Sequence, residues 1–174
     1  MKGKRISKDE YYLGIAKEVS RKSTCFRRFL GAIIIRDDQI ISTGYVGAPR
    51  KTRDSLEHGF CLRDKLNIPH GQRYELCRSV HAEQNAIINA ARAGVGLLGG
   101  DMYIYGSDYG QDEPINAFPC FICKKMIINA GLKRIICSTA KDKMKIFLVS
   151  DWVREWQEGD ILDTTHQYGK RIKK

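Results

Sequence analysis

The sequence predicts an α/β domain built around one sheet, and three observations carry that prediction. Short apolar runs alternate with segments of helical period along most of the chain. Between two of those runs, 31–35 and 39–45, Asp37-Asp38 turns the chain, which reads as a hairpin. The 174 residues, 43% of them hydrophobic, suit one domain that can bury its own core without disulfide staples. The expected organisation is a single domain over residues 1–174, with a long insertion at about 46–78 and a basic C-terminal tail at about 164–174.

Residues 7–21 read as an amphipathic helix. Ser7 is its N-cap, Glu10 completes a capping box, and Tyr11 or Tyr12 with Ile15, Ala16 and Val19 form its buried stripe. Gly31-Ala32-Ile33-Ile34-Ile35 gives a buried strand, and residues 39–45 return as the second arm of the hairpin. From 46 to 78 periodicity fails, and Gly47, Pro49, Gly59, Pro69 and Gly71 punctuate a connection long enough to need a functional or metal-bound reason. Residues 80–93, rich in alanine and isoleucine and stopped by Gly94 and Gly96, form the next helix. A third strand follows at 101–105. Pro119 suits the first position of a helix running from 120 to 130 and closed by Gly131. Residues 133–137 give a fourth strand, 142–157 a helix, and Asp160-Ile161-Leu162 a fifth strand.

Composition narrows the function classes. No apolar run approaches the roughly 20 residues of a membrane span. No apolar signal segment follows the basic start, so a cytoplasmic location is expected and no membrane partner. Six cysteines in such a chain point to metal before disulfides. The net charge of +10 allows anionic small molecules or nucleic acid. Much of the excess sits at the two ends, Lys2, Lys4 and Arg5, then Lys170, Arg171, Lys173 and Lys174, so nucleic acid is not the favoured partner.

The chemistry lies in two short motifs. His81-Ala82-Glu83 is followed by Pro119-Cys120-Phe121-Ile122-Cys123. Cysteines three apart on a helix face one side, and their place in its first turn favours the thiolate form. His81, Cys120 and Cys123 are three ligands of the kind that leave zinc an open fourth position, where a water ionises near neutral pH. Glu83, not needed as a ligand, is free to carry protons. His and Glu two apart reach one pocket only at a helix start, where the His can leave helical geometry. The bland reading is a structural zinc with Glu83 as a first-turn acid. The H-x-E with P-C-x-x-C pairing, in this order, is the signature of zinc deaminases acting on nucleobases and nucleosides.

These residues resemble the cytidine and deoxycytidylate deaminase family, and within it the deoxycytidylate (dCMP) deaminases. Residues 77–87, Cys-Arg-Ser-Val-His-Ala-Glu-Gln-Asn-Ala-Ile, look like that family's zinc helix, and residues 41–50 look like its G-Y-N-G substrate loop. Thr24-Cys25 before Gly31-Ala32, and residues 120–131, also fit; the resemblance covers roughly residues 7–138. It implies a three-layer α/β/α cytidine deaminase-like fold with a central mixed five-stranded sheet. It implies one catalytic Zn2+, a nucleotide substrate, a homo-oligomer, commonly a hexamer, and hydrolysis of dCMP to dUMP and ammonia. In that reaction a zinc-activated hydroxide attacks C4 while Glu83 shuttles protons.

The substrate-facing residues carried over are Val46, Ala82 and Asn85, with Arg28 and then Arg27 for the phosphate, since a guanidinium fork suits it. Solvated loop arginines are the other reading of Arg27 and Arg28. Two departures stand out. Val46 replaces the Asn of G-Y-N-G, which removes a hydrogen-bonding group from sugar recognition. The run Ser138-Thr139-Ala140-Lys141-Asp142 lacks the aromatic residue that the family places over the base. Other readings are a deaminase of another nucleotide or of nucleic-acid bases, and an inactive zinc-stabilised nucleotide-binding protein. Cys25, Cys61 and Cys77, with His58 or His70, either hold a second, structural zinc that pins the insertion or are buried small hydrophobes.

Overall fold

A computed structural model of the chain describes residues 5–69 and 71–159. Five strands form one mixed sheet in the order β2-β1-β3-β4-β5. β1 (Arg28–Arg36) and β2 (Gln39–Tyr45) form the expected hairpin, with Asp37 and Asp38 both at positive φ in the turn. β1 also pairs antiparallel with β3 (Asp101–Asp108). β3 pairs parallel with β4 (Arg134–Thr139), and β4 antiparallel with β5 (Lys143–Leu148).

The continuous apolar runs of the inner strands are buried on both faces, because helices cover both. Ile33, Ile35, Tyr103, Tyr105 and Ile136 face α1 (Lys8–Ser20), which contributes Tyr12 and Ala16. Their neighbours Ala32, Ile34, Met102, Ile104, Ile135 and Cys137 face the opposite layer of α4 (Ala82–Arg92), α5 (Phe121–Asn129) and α6 (Val149–Glu158). This is the expected α/β/α sandwich. α1 starts at the predicted capping box, with the Ser7 amide donating to Glu10 Oε2 at 2.7 Å and the Glu10 amide to Ser7 Oγ at 3.2 Å. Its buried stripe is Tyr12, Ala16 and Ser20, flanked by half-buried Ile15 and Val19.

α4 is the element that positions the site, and it is hung closely on β2. A Cβ placed on Gly44 would lie 2.2 Å from the Ala86 amide nitrogen and 2.4 Å from the Ala82 carbonyl oxygen, so only glycine lets the helix approach this far. Three side chains then bridge the two elements. Ser42 Oγ donates to the Ala86 carbonyl at 2.6 Å, Asn89 Nδ2 to Thr43 at 2.8 Å and Asn85 Nδ2 to Tyr45 at 2.8 Å.

The insertion is partly ordered into short helices, α2 (Ser55–His58) and α3 (Leu62–Lys65), and a 3-10 turn at Tyr74–Leu76. Its ends are zipped by a two-way bridge, the Gly47 amide donating to Val80 at 3.2 Å and the Val80 amide to Gly47 at 2.8 Å. It folds back onto the body as a flap held by Arg27, whose Nε donates to Asp64 Oδ1 at 2.7 Å and whose Nη2 donates to the Ile68 carbonyl at 3.2 Å.

Two expectations need correcting. The helix predicted over 142–157 is a strand followed by a helix: Lys143–Leu148 pairs with β4 through a turn with Asp142 at positive φ, and the helix begins at Val149. Met144 and Phe147 pack on opposite faces of the sheet while their neighbours stay exposed, so pairing with β4 overrides a composition that also suits a helix. Pro119 does not occupy the first helical position; Cys120 is the N-cap and Phe121 opens α5. The fifth strand predicted at 160–162 and the basic tail lie outside the described residues. No helix among the described residues is long and apolar enough to cross a membrane.

Candidate active site

Two helix N-termini meet on the α4/α5 face. His81 is the N-cap of α4, with extended backbone (φ −68, ψ 155) and its amide donating to Gln84 Oε1 at 3.2 Å. Leaving helical geometry turns its imidazole inward while Glu83, in the first turn, points into the same space. Cys120 is likewise an extended N-cap, and Cys123 follows one turn into α5. His81 Nδ1 lies 3.4 Å from Cys120 Sγ and 3.4 Å from Cys123 Sγ. Tetrahedral zinc with ordinary Zn–S and Zn–N bonds places such ligand atoms about 3.5 Å apart, so the donor set fits the ion in both chemistry and spacing. Among the described residues these three are the one cluster of metal-binding type, with all their ligand atoms within 4.8 Å of one another.

The electrostatics around these ligands are those of a site arranged for a cation. The neighbouring Cys123 thiol and the His81 ring, working against burial, hold Cys120 at about 4, so it is a thiolate at neutral pH. Cys123 moves the other way, raised by its thiolate neighbour and by burial. Burial pushes Glu83 up from the ordinary carboxylate range, opposed by the charge of His81. At 3% exposure, Glu83 is the one buried acid among the described residues.

These groups open onto a cavity of about 590 Å³. Its floor is His81, Glu83 and Cys120, and Val46, Leu30, Ser79 and Phe118 line its sides. The flap closes it with Arg63, Tyr74 and Cys61. Arg27 and Arg28 both reach its edge, but Arg27 is bound by Asp64 and Ile68, and Arg28 Nε stands 3.5 Å from Asp108. Val46 is nearly buried and ties its backbone to Leu30 and Thr24. Ala82 is fully buried beneath the α4 start and Asn85 serves the Tyr45 carbonyl, so neither lines this cavity.

Cys25, Cys61 and Cys77 all line the same cavity, yet they do not close to ligand distance as a group. His58 meets Phe60 edge-on, and His70 lies outside the described residues. Three lining residues escape sequence reasoning. Phe118 is adjacent to a motif that draws attention elsewhere, and Arg63 and Tyr74 sit in the aperiodic insertion, where no pattern announces burial.

Residues 6–139 match the cytidine and deoxycytidylate deaminase zinc-binding region, and the chain belongs to that family. Several of its curated relatives are deoxycytidylate deaminases, and another is ComE operon protein 2 of Bacillus subtilis, 30% identical over 131 residues. The deoxycytidylate deaminase of Mycobacterium phage D29 is 30% identical over 133 residues, covering 74% of this chain and 91% of the relative. That of Schizosaccharomyces pombe is 29% identical over 136 residues, covering 78% of this chain and 38% of the relative, so the match spans under two fifths of the yeast protein's length. The fold is that of the dCMP deaminase from cyanophage S-TIM5, with a TM-score of 0.55 at 24% identity over 75% of this chain and 82% of the other.

Proposed function

We propose that the chain is a zinc-dependent hydrolase that deaminates a cytosine nucleotide, dCMP plus water giving dUMP plus ammonia. The observation that carries this reading is the convergence of His81 Nδ1 on both thiols at 3.4 Å with a buried Glu83 alongside. The names of the phage and yeast relatives support the substrate, and the S-TIM5 protein has been solved with dCMP and dUMP. His81, Cys120 and Cys123 hold the zinc, which when bound supplies a water acidified toward neutral pH. Glu83, buried and raised, holds the proton lost by that water and delivers it to ring N3. With the water oxygen bonded to C4, the Glu83 carboxylate takes the remaining proton of that hydroxyl and passes it to the amino group, which leaves as ammonia as the C4–N bond breaks and C4=O forms, so the carboxylate is restored at the end of the cycle. Phe118, in the cavity wall two residues before Cys120, takes the stacking role that the stretch after β4 does not supply. Val46 offers the sugar an apolar wall only, so the 3′-hydroxyl is recognised by backbone or water.

A homo-oligomer and a cytoplasmic location belong to the same proposal, as does a second zinc on Cys25, Cys61 and Cys77 with His58 or His70, which requires these cysteines to draw together on binding it. Sedimentation and zinc stoichiometry test the first and the last. The central test is ammonia release, with product mass, from zinc-loaded protein given dCMP, CMP, deoxycytidine and single-stranded DNA in parallel. Turnover of dCMP that disappears in Glu83→Gln supports the reading. Turnover of DNA alone moves the substrate to nucleic-acid bases, and no turnover by protein that holds zinc leaves a binding protein.

A further inference from the structure

Of the three arginines on the cavity, Arg63 is the most buried, at 5% exposure. Its Nη2 donates to the Pro69 carbonyl at 3.1 Å, but its Nε is buried without a partner. Among the described residues no carboxylate forms an ion pair with it. The acids nearest in charge are already engaged, Asp64 by Arg27 and Glu75 by Arg73. A guanidinium cannot shed its proton, so an unpaired buried one is costly unless an anion completes it. Its Cζ lies over the Tyr74 ring, 4.8 Å from the centroid, and that ring meets the His81 imidazole edge-on at 5.1 Å. One aromatic ring therefore separates the unpaired cation from the metal ligands, within the reach of a mononucleotide.

We infer that Arg63 is the specificity-determining residue for the substrate's phosphate monoester, an inference that rests on the nucleotide deaminase reading. The cavity is polarised along its length. The metal end is neutral once two thiolates cancel the charge of zinc, and it suits an uncharged cytosine ring beside Glu83. The flap end carries a guanidinium with a free donor, the geometry that suits a phosphate oxygen. Arg27 has no such freedom, because Asp64 and the Ile68 carbonyl occupy it. Arg28 is more exposed and has Asp108 beside it. Arg63 thus makes the site read the difference between a nucleotide and a nucleoside.

The test measures binding in the zinc-loaded, catalytically silent Glu83→Gln protein, so it does not depend on turnover. Calorimetry gives Kd for dCMP and for deoxycytidine, and a thermal-shift titration with inorganic phosphate reads the subsite alone. Adding Arg63→Gln is expected to shrink the preference for dCMP over deoxycytidine by about tenfold to hundredfold and to abolish the phosphate shift. Arg63→Lys, which keeps the charge and loses the fork, is expected to fall between. If Arg63→Gln fails to hold zinc, Arg63→Lys decides: a several-fold loss of preference supports the assignment and an undiminished preference overturns it. An undiminished preference in folded Arg63→Gln, its transfer to Arg28→Gln, or no binding of dCMP or phosphate to the parent protein also overturns it. Absence of ammonia release from dCMP by the wild-type chain would defeat the deaminase reading and leave these affinities to judge Arg63.

Discussion

Glu83 shows most plainly how function and stability oppose each other in this chain. A carboxyl raised by burial favours its protonated form in the folded state. Above its unfolded value, near 4.3, the folded metal-free protein must therefore either hold a proton or bear a desolvated charge, and stability falls as pH rises through that window. Glu83→Gln removes the penalty. The metal-free variant is expected to melt a few degrees above wild type at pH 8, the difference vanishing near pH 4, as calorimetry would show. The same substitution is expected to lower dCMP turnover by about 10²-fold or more while zinc content stays at wild-type level. His81, Glu83, Cys120 and Cys123 were legible because ligand chemistry constrains residue type and spacing together. Arg63 was not, because only the folded flap makes it buried and unpaired.

The precision of the site is set by how elements are seated. Since a Cβ on Gly44 would overlap the α4 backbone at Ala82 and Ala86, Gly44→Ala must push the helix start off the sheet, and His81 and Glu83 move with it. Zinc stoichiometry and turnover are expected to fall together, whereas Gly110→Ala, where a side chain meets nothing within 4 Å, should retain zinc although it strains a turn at positive φ. The flap depends on the Arg27–Asp64 pair, whose arginine holds the Asp64 carboxyl below the usual range. A depressed carboxyl contributes stability above its unfolded value, near 3.9, and loses it as pH falls through the folded one. The protection of amides in residues 55–69 and 71–76, measured against their intrinsic exchange rates, is therefore expected to fall below about pH 4, and Asp64→Asn should show the lower protection already at neutral pH. Hairpin, capped α1 and the two site helices were readable from turn chemistry and caps. β5 was not, because Lys143–Leu148 becomes a strand by joining β4 across a tight turn, a tertiary choice that local preference does not encode.

For the molecule as a whole, the sheet is the device that turns two remote motifs into one site. Removing zinc leaves a thiolate and a buried acid around an empty centre. Chelation is expected to lower the melting temperature, and readdition to restore it in proportion to the logarithm of free zinc. Free zinc at about 100 times its Kd corresponds to about 2.7 kcal/mol. Cys120→Ser should weaken both the zinc affinity and that restoration. The class and layering of the fold followed from alternating apolar runs buried on both faces, while the flap's closure over the cavity depends on packing that no single segment announces.

The order of the strands adds a constraint in time. His81 and Glu83 precede β3, Cys120 and Cys123 follow it, and β3 is the middle strand of the sheet. As the chain leaves the ribosome, its first half emerges with His81 and Glu83 but with neither Cys120 nor Cys123. The metal can be captured only after the middle strand has docked and the second helix has been made. Zinc uptake at this centre thus dates the completion of the core, and an incomplete chain cannot assemble its three-ligand set.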